Sequence, residues 1–501
     1  MSSSCNAQTL LTAACKAGFR DLVPEADSMA VMNQLLCDIN GGGGGGSGGS
    51  VSPAHITAGQ GTLYCHAGAS SGTGRIAVTA KVAGGNLRLV YPGYYTPVGA
   101  PATFLNPVRV RASLQKSDGA GNPTGSAIPV TFDQVLTGVV QPGGFLTSDP
   151  CPIALAAGEL FFVLTYTDNS AQYYSNRYLT GVSGEQWAAG TNATLTLAGF
   201  DTVVNSQAID VYAPALILAP VTESNRTAVM VLGDSIAYGE YANYTQTRGF
   251  ASTAISQTRP VVNVGIGGST AQNWADLSIS GSAYTVMPFV RDVFIEPGFN
   301  DVSLGIPAAT IYANLATIYG YCRDMGARRV IGCTITSHPT STDLFATTAN
   351  QTASANEAIR LALNVLITGS ALIDGYFDLS AALAYSGNAA LRRVSTASQT
   401  TSATIFSGIA GAISSAAAVH SVSADQTWLG SVIQANSSAA FIQSVKNAIE
   451  GWIGFTKPLP GGLNPGDPFL ITDQWTADGV HPSGFATAYV VSQFNTAVLF
   501  P

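Results

Sequence analysis

The stretch 228–236, AVMVLGDSI, determines the fold of the larger part of this 501-residue chain. Its first five residues are apolar throughout, which is typical of a strand buried on both faces. Gly233, Asp234 and Ser235 follow at once, so the serine stands where a strand turns tightly into a helix. The amino end of that helix offers N–H groups and a positive dipole end to a developing oxyanion. The stretch predicts a nucleophilic serine, although for an isolated match an ordinary Asp/Ser helix cap is the better explanation.

Strand-like and helix-like segments alternate after this stretch. The clearest helix begins after Pro307, ends before Gly326 and places its apolar residues on one face. Strands alternating with helices predict an α/β fold with a parallel sheet covered by helices on both faces. Reactive residues in such sheets lie beyond the carboxyl ends of the strands. Besides 228–232, the apolar strand-like runs are 261–264, 292–296, 329–335 and 371–375.

Three further motifs stand at this reactive edge. NVGIGGST, residues 263–270, follows the second strand and GFND, residues 298–301, follows the third. DGVH, residues 478–481, precedes Pro482 and a last helix predicted from about Gly484. A carboxylate three residues before a histidine can reach the imidazole through a tight turn and fix its tautomer.

The four motifs, in this order, resemble those of the SGNH hydrolases, or GDSL-type esterases, over about 221–501. The resemblance implies a three-layer αβα domain with a five-stranded parallel sheet and serine ester hydrolysis without metal or cofactor. It implies Ser235 as nucleophile, His481 as general base and Asp478 as the residue that orients it. It also implies an oxyanion hole formed by Ser235, Gly268 and Asn300, with Gly265 and Gly267 as neighbouring glycines in the Gly268 loop. His338, in TSHPTST, could line the pocket rim.

Residues 51–220 show strand signals instead. Val108 to Gln115 alternate apolar and polar, as in a sheet with one wet face. We expect an antiparallel, jelly-roll-like β-sandwich that could bind carbohydrate. Tyr91, Tyr94, Tyr95, Tyr173, Tyr174 and Tyr178 could stack on sugars, but core and rim positions in a sandwich explain them better. Further strands are expected at 86–92, 128–135, 159–167 and 208–218.

Two other segments complete the predicted organisation. Residues 1–40 carry an apolar pattern of two short helices, and GGGGGGSGGS at 41–50 is a flexible tether, unless it is a low-complexity segment without a role. An Ala/Ser/Thr-rich insertion at about 380–470 is too long for a simple loop, and we interpret it as a cap or partner-facing element. The seven cysteines are scattered, and we expect mostly buried free thiols.

Composition excludes several classes of function. Only 10% of residues are charged and 21 are Lys or Arg, which is too few for a phosphate-binding patch, so nucleic acid is not an expected partner. Mean hydropathy is +0.25, but no run of about 20 apolar residues exists, and membrane insertion is not expected. The first residues lack the basic region of a secretory signal, so we expect exit from a cell by another route, such as lysis.

Three hypotheses follow. The first is a phage tail or fibre protein of the virion, attached to other virion proteins through residues 1–40, that removes O-acetyl groups from a host surface polysaccharide. The second is an extracellular bacterial carbohydrate esterase or lipase. The third is a catalytically silent glycan-binding structural protein of the virion. The sequence leaves the oligomeric state open; a homotrimer would match the fibre analogy, although no coiled-coil heptads are present.

Overall fold

The computed structural model describes most of 51–394 and part of the remainder. The predicted helical head, 1–40, and the tether, 41–50, lie outside the described residues. No described helix is long and apolar enough to span a bilayer. The described residues are 51–55, 66–69, 71–95, 98–99, 103–104, 106–168, 173–175, 177–179, 184–189, 209–222, 227–239, 249–394, 404–409, 413–415, 418–420, 432–435, 438–446, 452–455, 468–472, 475–476 and 478–501.

Two larger antiparallel sheets and three two-stranded ones occupy the first half of the described chain, and we call this part the two-sheet unit, residues 51–222, after its two larger sheets. One sheet has the order β1-β16-β4-β10, and the other has the order β14-β3-β11-β7-β8 with β9 on β7. The strands are β1 Val51–His55, β2 His66–Ala69, β3 Gly72–Thr79, β4 Arg88–Pro92, β5 Tyr94–Tyr95, β6 Thr103–Phe104, β7 Val108–Ser117, β8 Pro123–Val130, β9 Gly138–Val140, β10 Phe145–Thr147, β11 Leu160–Asp168, β12 Tyr173–Ser175, β13 Arg177–Leu179, β14 Gln186–Ala189, β15 Ile209–Val211 and β16 Leu216–Thr222.

The two sheets share one apolar core. Val110 and Phe161 from the second sheet lie in the same cluster of buried residues as Leu89 and Ile217 from the first. The predicted alternation along β7 is seen at its start, where Val108 and Val110 are buried and the two arginines beside them are exposed. Burial of one face of each sheet against the other removes their apolar surface from water, which stabilises the unit.

Three expectations for this unit need correction. The strand expected at 128–135 ends at Val130, because Asp133 and Gln134 have positive φ and form a turn. The run 208–218 is divided into β15 and β16 by residues 212–215. Tyr91 is fully buried and its hydroxyl lies 2.9 Å from Thr165 Oγ1, so it cannot stack on a sugar. The side chains of the other five tyrosines of the predicted sugar surface lie outside the described residues.

A five-stranded parallel sheet forms the second part, in the order β18-β17-β19-β20-β23. This confirms the α/β prediction. The predicted strand at 371–375 is displaced to Gly375–Phe377, and Leu372 is exposed in the loop before it. The strands are β17 Val229–Leu232, β18 Val261–Asn263, β19 Asp292–Ile295, β20 Arg329–Cys333, β21 Thr340–Ser341, β22 Gln351–Thr352 and β23 Gly375–Phe377.

The helices form two contacting groups, as expected for a three-layer fold: α6 contacts α3 and α7, while α9 contacts α2 and α8. Helix α6 begins after Pro307, as predicted. The helices are α1 Ser235–Tyr238, α2 Phe250–Ile255, α3 Ala271–Ala275, α4 Leu277–Tyr284, α5 Phe299–Ser303, α6 Ala308–Asp324, α7 Glu357–Thr368, α8 Leu379–Leu383, α9 Gly484–Gln493 and α10 Thr496–Leu499.

The core of the parallel sheet extends into the two-sheet unit. Val90, Leu216 and Leu218 of that unit belong to the same buried cluster as Val229 and Phe294 of the sheet. The two parts are therefore packed against each other through apolar side chains, not merely joined by a linker.

Most of the described residues in the expected insertion lie in strands. Residues 384–392 form a short hairpin that packs with α8, so this part belongs to the α/β domain and the predicted start at about 380 is too early. Residues 404–472 contribute an antiparallel sheet of order β26-β32-β29-β30-β31-β28-β27. These strands are β24 Ala384–Tyr385, β25 Asn388–Arg392, β26 Thr404–Ile409, β27 Ile413–Ser415, β28 Ala418–His420, β29 Val432–Ala435, β30 Ser438–Lys446, β31 Trp452–Phe455 and β32 Pro468–Thr472.

Three of the seven cysteines lie among the described residues with described side chains. Cys151, Cys322 and Cys333 are buried and unpaired, as expected for free thiols. Burial raises the pKa of the Cys322 thiol to about 12, so it stays protonated and has little nucleophilic character.

Candidate active site

Ser235 is the first residue of α1, directly beyond the carboxyl end of β17. Asp234 caps this helix, because its Oδ1 accepts a hydrogen bond from the Ile236 amide at 2.9 Å. Ser235 is 9% exposed. The helix-cap interpretation and the nucleophile interpretation thus apply to two neighbouring residues: the aspartate caps the helix and the serine is presented at its first turn.

The DGVH motif forms a turn closed by its own aspartate. Asp478 Oδ1 accepts from the amides of Val480 and His481, each at 2.9 Å. Its other oxygen, Oδ2, lies 2.7 Å from His481 Nδ1. The carboxylate that orients the ring is therefore itself oriented by backbone N–H groups.

The structure brings Ser235, His481 and Asp478 into one hydrogen-bond chain. His481 Nε2 lies 2.7 Å from Ser235 Oγ across 246 positions of sequence. With Nδ1–H donating to Asp478, Nε2 is left to accept the hydroxyl proton of Ser235. Burial raises the pKa of Asp478, but the hydrogen bond and charge of His481 outweigh burial and hold this pKa below its usual value. Asp478 is therefore ionised at neutral pH.

The Gly268 loop lies against Ser235. A Cβ placed on Gly267 would be 3.9 Å from the Ser235 Cβ, and Ser269 Oγ donates to the Gly233 carbonyl at 3.3 Å. Gly268 has φ +75°, in the left-handed region that glycine tolerates best. Among the described residues no hydrogen bond uses the backbone N–H of Ser235 or of Gly268. Both donors are available to an anionic oxygen.

Asn300 and Asp301 join the GFND motif to the same loop. Asn300 Nδ2 donates to the Ser269 carbonyl at 2.9 Å, which uses one of its two amide hydrogens and leaves the other. Asp301 Oδ2 accepts from the Ala271 amide at 2.8 Å. These two hydrogen bonds hold the GFND motif against the NVGIGGST motif, so the Asn300 side chain has a fixed position relative to the Gly268 loop.

Two buried carboxyl groups lie beneath Ser235. Glu296 Oε2 accepts from the Asp234 amide at 3.4 Å, and both side chains are buried. Burial raises the pKa of Asp234 to about 6, and it raises the pKa of Glu296 well above its usual value with the added repulsion of Asp234. Burial thus favours the protonated form of Glu296. Sequence reasoning did not single it out, although it directly follows an apolar strand.

His338 lies beside the site, at the rim position considered from the sequence. Its Nδ1 is 3.1 Å from Ser303 Oγ and its ring centroid is 5.2 Å from that of Phe299. Burial, followed by the charge of Arg392, lowers its pKa, so the ring is neutral at pH 7. His66 and His420 lie in strands whose side chains are outside the described set.

The two-sheet unit reaches the same loop. A Cβ placed on Gly268 would lie 3.4 Å from Val98 Cγ1. A Cβ placed on Gly99 would lie 3.7 Å from Asn273 Nδ2. Val98 is 45% exposed although it touches this loop. Sequence reasoning missed this contact, because it joins residues of two different domains.

Comparisons with known proteins bear on the α/β part. Residues 231–395 match the GDSL-like Lipase/Acylhydrolase family. No curated protein matches the chain. Among solved structures, the chain is similar to a G-D-S-L family lipolytic protein from Desulfitobacterium hafniense, with 17% identity, covering 32% of this chain and 82% of that one, at a TM-score of 0.26.

Two further similar structures are esterases of carbohydrates by their names. An acetylxylan esterase from Geobacillus stearothermophilus is 15% identical, with 28% of this chain and 69% of that one covered, at a TM-score of 0.21. An active site mutant of a family two carbohydrate esterase from Clostridium thermocellum is 12% identical, with 66% of this chain and 88% of that one covered, at a TM-score of 0.24.

The family match covers the GDSI, NVGIGGST and GFND motifs, and it ends at residue 395, before the strands of 404–472. DGVH lies beyond it in sequence but completes the hydrogen-bond chain in space. Residues 231–395 form a domain of the GDSL-like lipase/acylhydrolase family.

Proposed function

We propose that this chain is a serine esterase that hydrolyses acyl esters of a carbohydrate, most specifically O-acetyl esters of a surface polysaccharide. The observation that carries the esterase part is the continuous hydrogen-bond chain from Ser235 Oγ through His481 to Asp478. It ends beside two backbone N–H groups and the Asn300 amide. A nucleophile, a base and oxyanion donors are the groups that ester hydrolysis needs.

Acylation follows from this geometry. Ser235 Oγ attacks the ester carbonyl carbon while His481 Nε2 takes the hydroxyl proton, and Asp478 stabilises the imidazolium. The carbonyl oxygen becomes an oxyanion that accepts from the Ser235 and Gly268 N–H groups and from Asn300 Nδ2. Collapse breaks the bond to the alcohol oxygen, and His481 returns the proton to that oxygen. The alcohol leaves and an acyl-Ser235 ester remains.

Deacylation repeats these steps with water. His481 takes a proton from a water molecule as that oxygen attacks the acyl carbon, and the same three donors hold the second oxyanion. Breaking the bond to Ser235 Oγ, with the proton returned to it, releases the carboxylic acid and restores the enzyme. Besides the water that attacks in deacylation, each step uses only side chains and backbone N–H groups of this chain, and our proposal includes no metal or cofactor.

The carbohydrate part of the proposal rests on the two-sheet unit. Val90, Leu216 and Leu218 of this unit pack in the core of the catalytic domain, and Val98 touches the Gly268 loop. A substrate whose alcohol is large would extend from the Ser235 site onto this unit. We interpret the unit as a jelly-roll-like β-sandwich that holds the glycan next to the reacting ester.

We also propose where the protein acts. The residues before 51, a predicted helical head and a glycine tether, suit attachment to other virion proteins of a phage tail or fibre, and a trimer would match such a fibre. The enzyme would then act at the host cell surface. An extracellular bacterial carbohydrate esterase has the same site chemistry, and detection of the chain in purified virions distinguishes the two.

Activity is tested on a series of p-nitrophenyl esters of increasing acyl length, followed by acetate release from O-acetylated polysaccharide. We expect the full chain to prefer acetate and to release acetate from the polymer, and Ser235→Ala to do neither. Turnover only on long acyl esters would favour a lipase. No turnover by a folded native chain would contradict the esterase proposal and favour a glycan-binding structural protein.

A further inference from the structure

Arg392 is a fully buried arginine at the end of β25, and sequence reasoning gave it no role. Its relative exposure is 0%. Gln351 fixes its backbone on both sides: Gln351 Oε1 accepts from the Arg392 amide at 2.8 Å, and Gln351 Nε2 donates to the Arg392 carbonyl at 3.1 Å. The side chain therefore leaves a firmly held point of the backbone.

The guanidinium of Arg392 binds the turn between Asp478 and His481. Nη2 donates to the Val480 carbonyl at 2.6 Å and to the Gly479 carbonyl at 3.2 Å, and Nε donates to the Gly479 carbonyl at 3.3 Å. Nη1 donates to Thr336 Oγ1. Gly479 and Val480 are the two residues that separate the aspartate from the histidine.

Burial of this charge needs an explanation other than stability. Among the described residues Arg392 forms no ion pair, and burial lowers its pKa to about 9, with Asp478 as the main opposing charge. An unpaired buried cation is costly, and an apolar side chain would fill the same space at lower cost. The rigid fork of a guanidinium, however, can grip two carbonyl groups at once.

The order of these segments along the chain explains why the turn needs the hydrogen bonds from Arg392. Arg392 stands three residues before the end of the family match at 395, and the catalytic turn begins only at 478. The strands of 404–472 lie between them. His481 therefore does not follow a strand of the parallel sheet, as Ser235 and Asn300 do. Arg392 joins the point where the chain leaves the domain to the turn where it returns.

We propose that Arg392 is a positioning residue of the active site, holding the Asp478–His481 turn so that His481 meets Ser235. It does not touch the reacting atoms in this role; it acts through the turn. This inference rests on the proposed esterase activity, and its test separates the two.

The test compares Arg392→Lys with Arg360→Lys in the full chain. Arg360 is a matched control, because it is 1% exposed and also donates to backbone carbonyls, those of Ile335 and Ala389, but not to the catalytic turn. A lysine at 392 keeps the charge but lacks the planar guanidinium, whose Nε and Nη2 both donate to this turn. A displacement of about 1 Å lowers a rate by ~10²-fold, so we expect kcat on p-nitrophenyl acetate to fall by roughly 10- to 100-fold with KM unchanged.

A second readout reports the turn directly. The His481 Nδ1–H proton, donated to Asp478, gives a downfield resonance in proton NMR, and we expect Arg392→Lys to shift or broaden it. Arg360→Lys should lower the unfolding temperature and leave both kcat and this resonance as in the native chain. If Arg392→Lys lowers the unfolding temperature but retains kcat and the resonance, the residue is merely structural and the proposal is wrong.

Two further outcomes of this test are an Arg392→Lys variant that does not fold and a native chain without esterase activity. If Arg392→Lys does not fold, Gln351→Leu decides the question, because it frees the Arg392 backbone while keeping the guanidinium: a lower kcat supports the role and an unchanged kcat overturns it. If the native chain shows no esterase activity, the proposed function fails and the positioning role fails with it, whatever the Arg392 variants do.

Discussion

Gly479 lies so close to Pro339 that a Cβ on Gly479 would overlap the Pro339 carbonyl oxygen. Gly479 also has φ +85°, in the left-handed region. Both properties belong to the turn between Asp478 and His481, which packs directly on the loop after β20. The position of His481 thus depends on a residue without a side chain.

We therefore predict that Gly479→Ala lowers kcat on p-nitrophenyl acetate by ~10²-fold, because relief of the overlap displaces His481 by about 1 Å. The backbone strain alone costs about 1–2 kcal/mol of stability. Gly326→Ala is the matched control: its φ is +94° and nothing lies within 4 Å of its Cβ position. This control should lose similar stability and keep its kcat. Native kcat in Gly479→Ala would show that the turn tolerates the displacement.

Glu296→Gln should change how stability depends on pH. The pKa values of Glu296 and Asp234 are raised on folding, chiefly by burial, so the folded protein binds more protons than the unfolded one. The free energy of unfolding then falls as the pH rises. The fall begins near the pKa of a carboxyl group in the unfolded chain, about 4, and continues through the pKa of Asp234 in the folded protein, about 6. A neutral amide removes part of this dependence.

The measurement is the unfolding temperature between pH 4.5 and 7.5, an interval chosen to span roughly these values. The native chain should lose more stability across it than Glu296→Gln does. Glu159→Gln is the control of opposite sign, because its hydrogen bond to Lys116 lowers the pKa of Glu159. Parallel curves for the native chain and Glu296→Gln would contradict the prediction.

Asn300→Ala tests the oxyanion site. Loss of one donor typically lowers kcat by ~10²- to 10³-fold, and we expect this loss on p-nitrophenyl acetate with little change in KM. Asn356→Ala is the control, because its Nδ2 donates to the Ser303 carbonyl at 3.2 Å, at the far end of the same helix α5. If both variants lose activity equally, the effect comes from the stability of α5 and not from the oxyanion.

Val98→Trp tests whether the two-sheet unit contacts the substrate. A bulky ring beside Gly268 should lower kcat/KM on an O-acetylated polysaccharide by about tenfold or more relative to its effect on p-nitrophenyl acetate. Val139→Trp is the control on the same unit, since Val139 is 40% exposed and Val98 is 45% exposed. An equal effect of Val98→Trp on both substrates would argue against a glycan path over this surface.

The parts of the site that were predicted from sequence share one property. Ser235, the Gly268 loop and Asn300 each follow a strand of a parallel sheet, and topology alone brings the carboxyl ends of such strands to one edge. Local patterns therefore sufficed for them. The histidine was found through its DGVH motif, not through its place in the sheet.

The rest depended on contacts that no local pattern encodes. Arg392 reaches Gly479 across 87 positions, and its neighbours in sequence carry no motif. Val98 reaches Gly268 from another domain. The strand predicted at 371–375 was wrong for a related reason: an apolar run such as ALI occurs both in a buried strand and in a loop with an exposed Leu372.

Covalent labelling tests most directly whether Ser235 is the nucleophile. The full chain and Ser235→Ala are incubated with a phosphonate ester that reacts with activated serines, and intact mass and peptide mass are measured. We predict a single adduct on Ser235 in the native chain and none in Ser235→Ala. No adduct on the folded native chain, or an adduct that persists in Ser235→Ala, would contradict it.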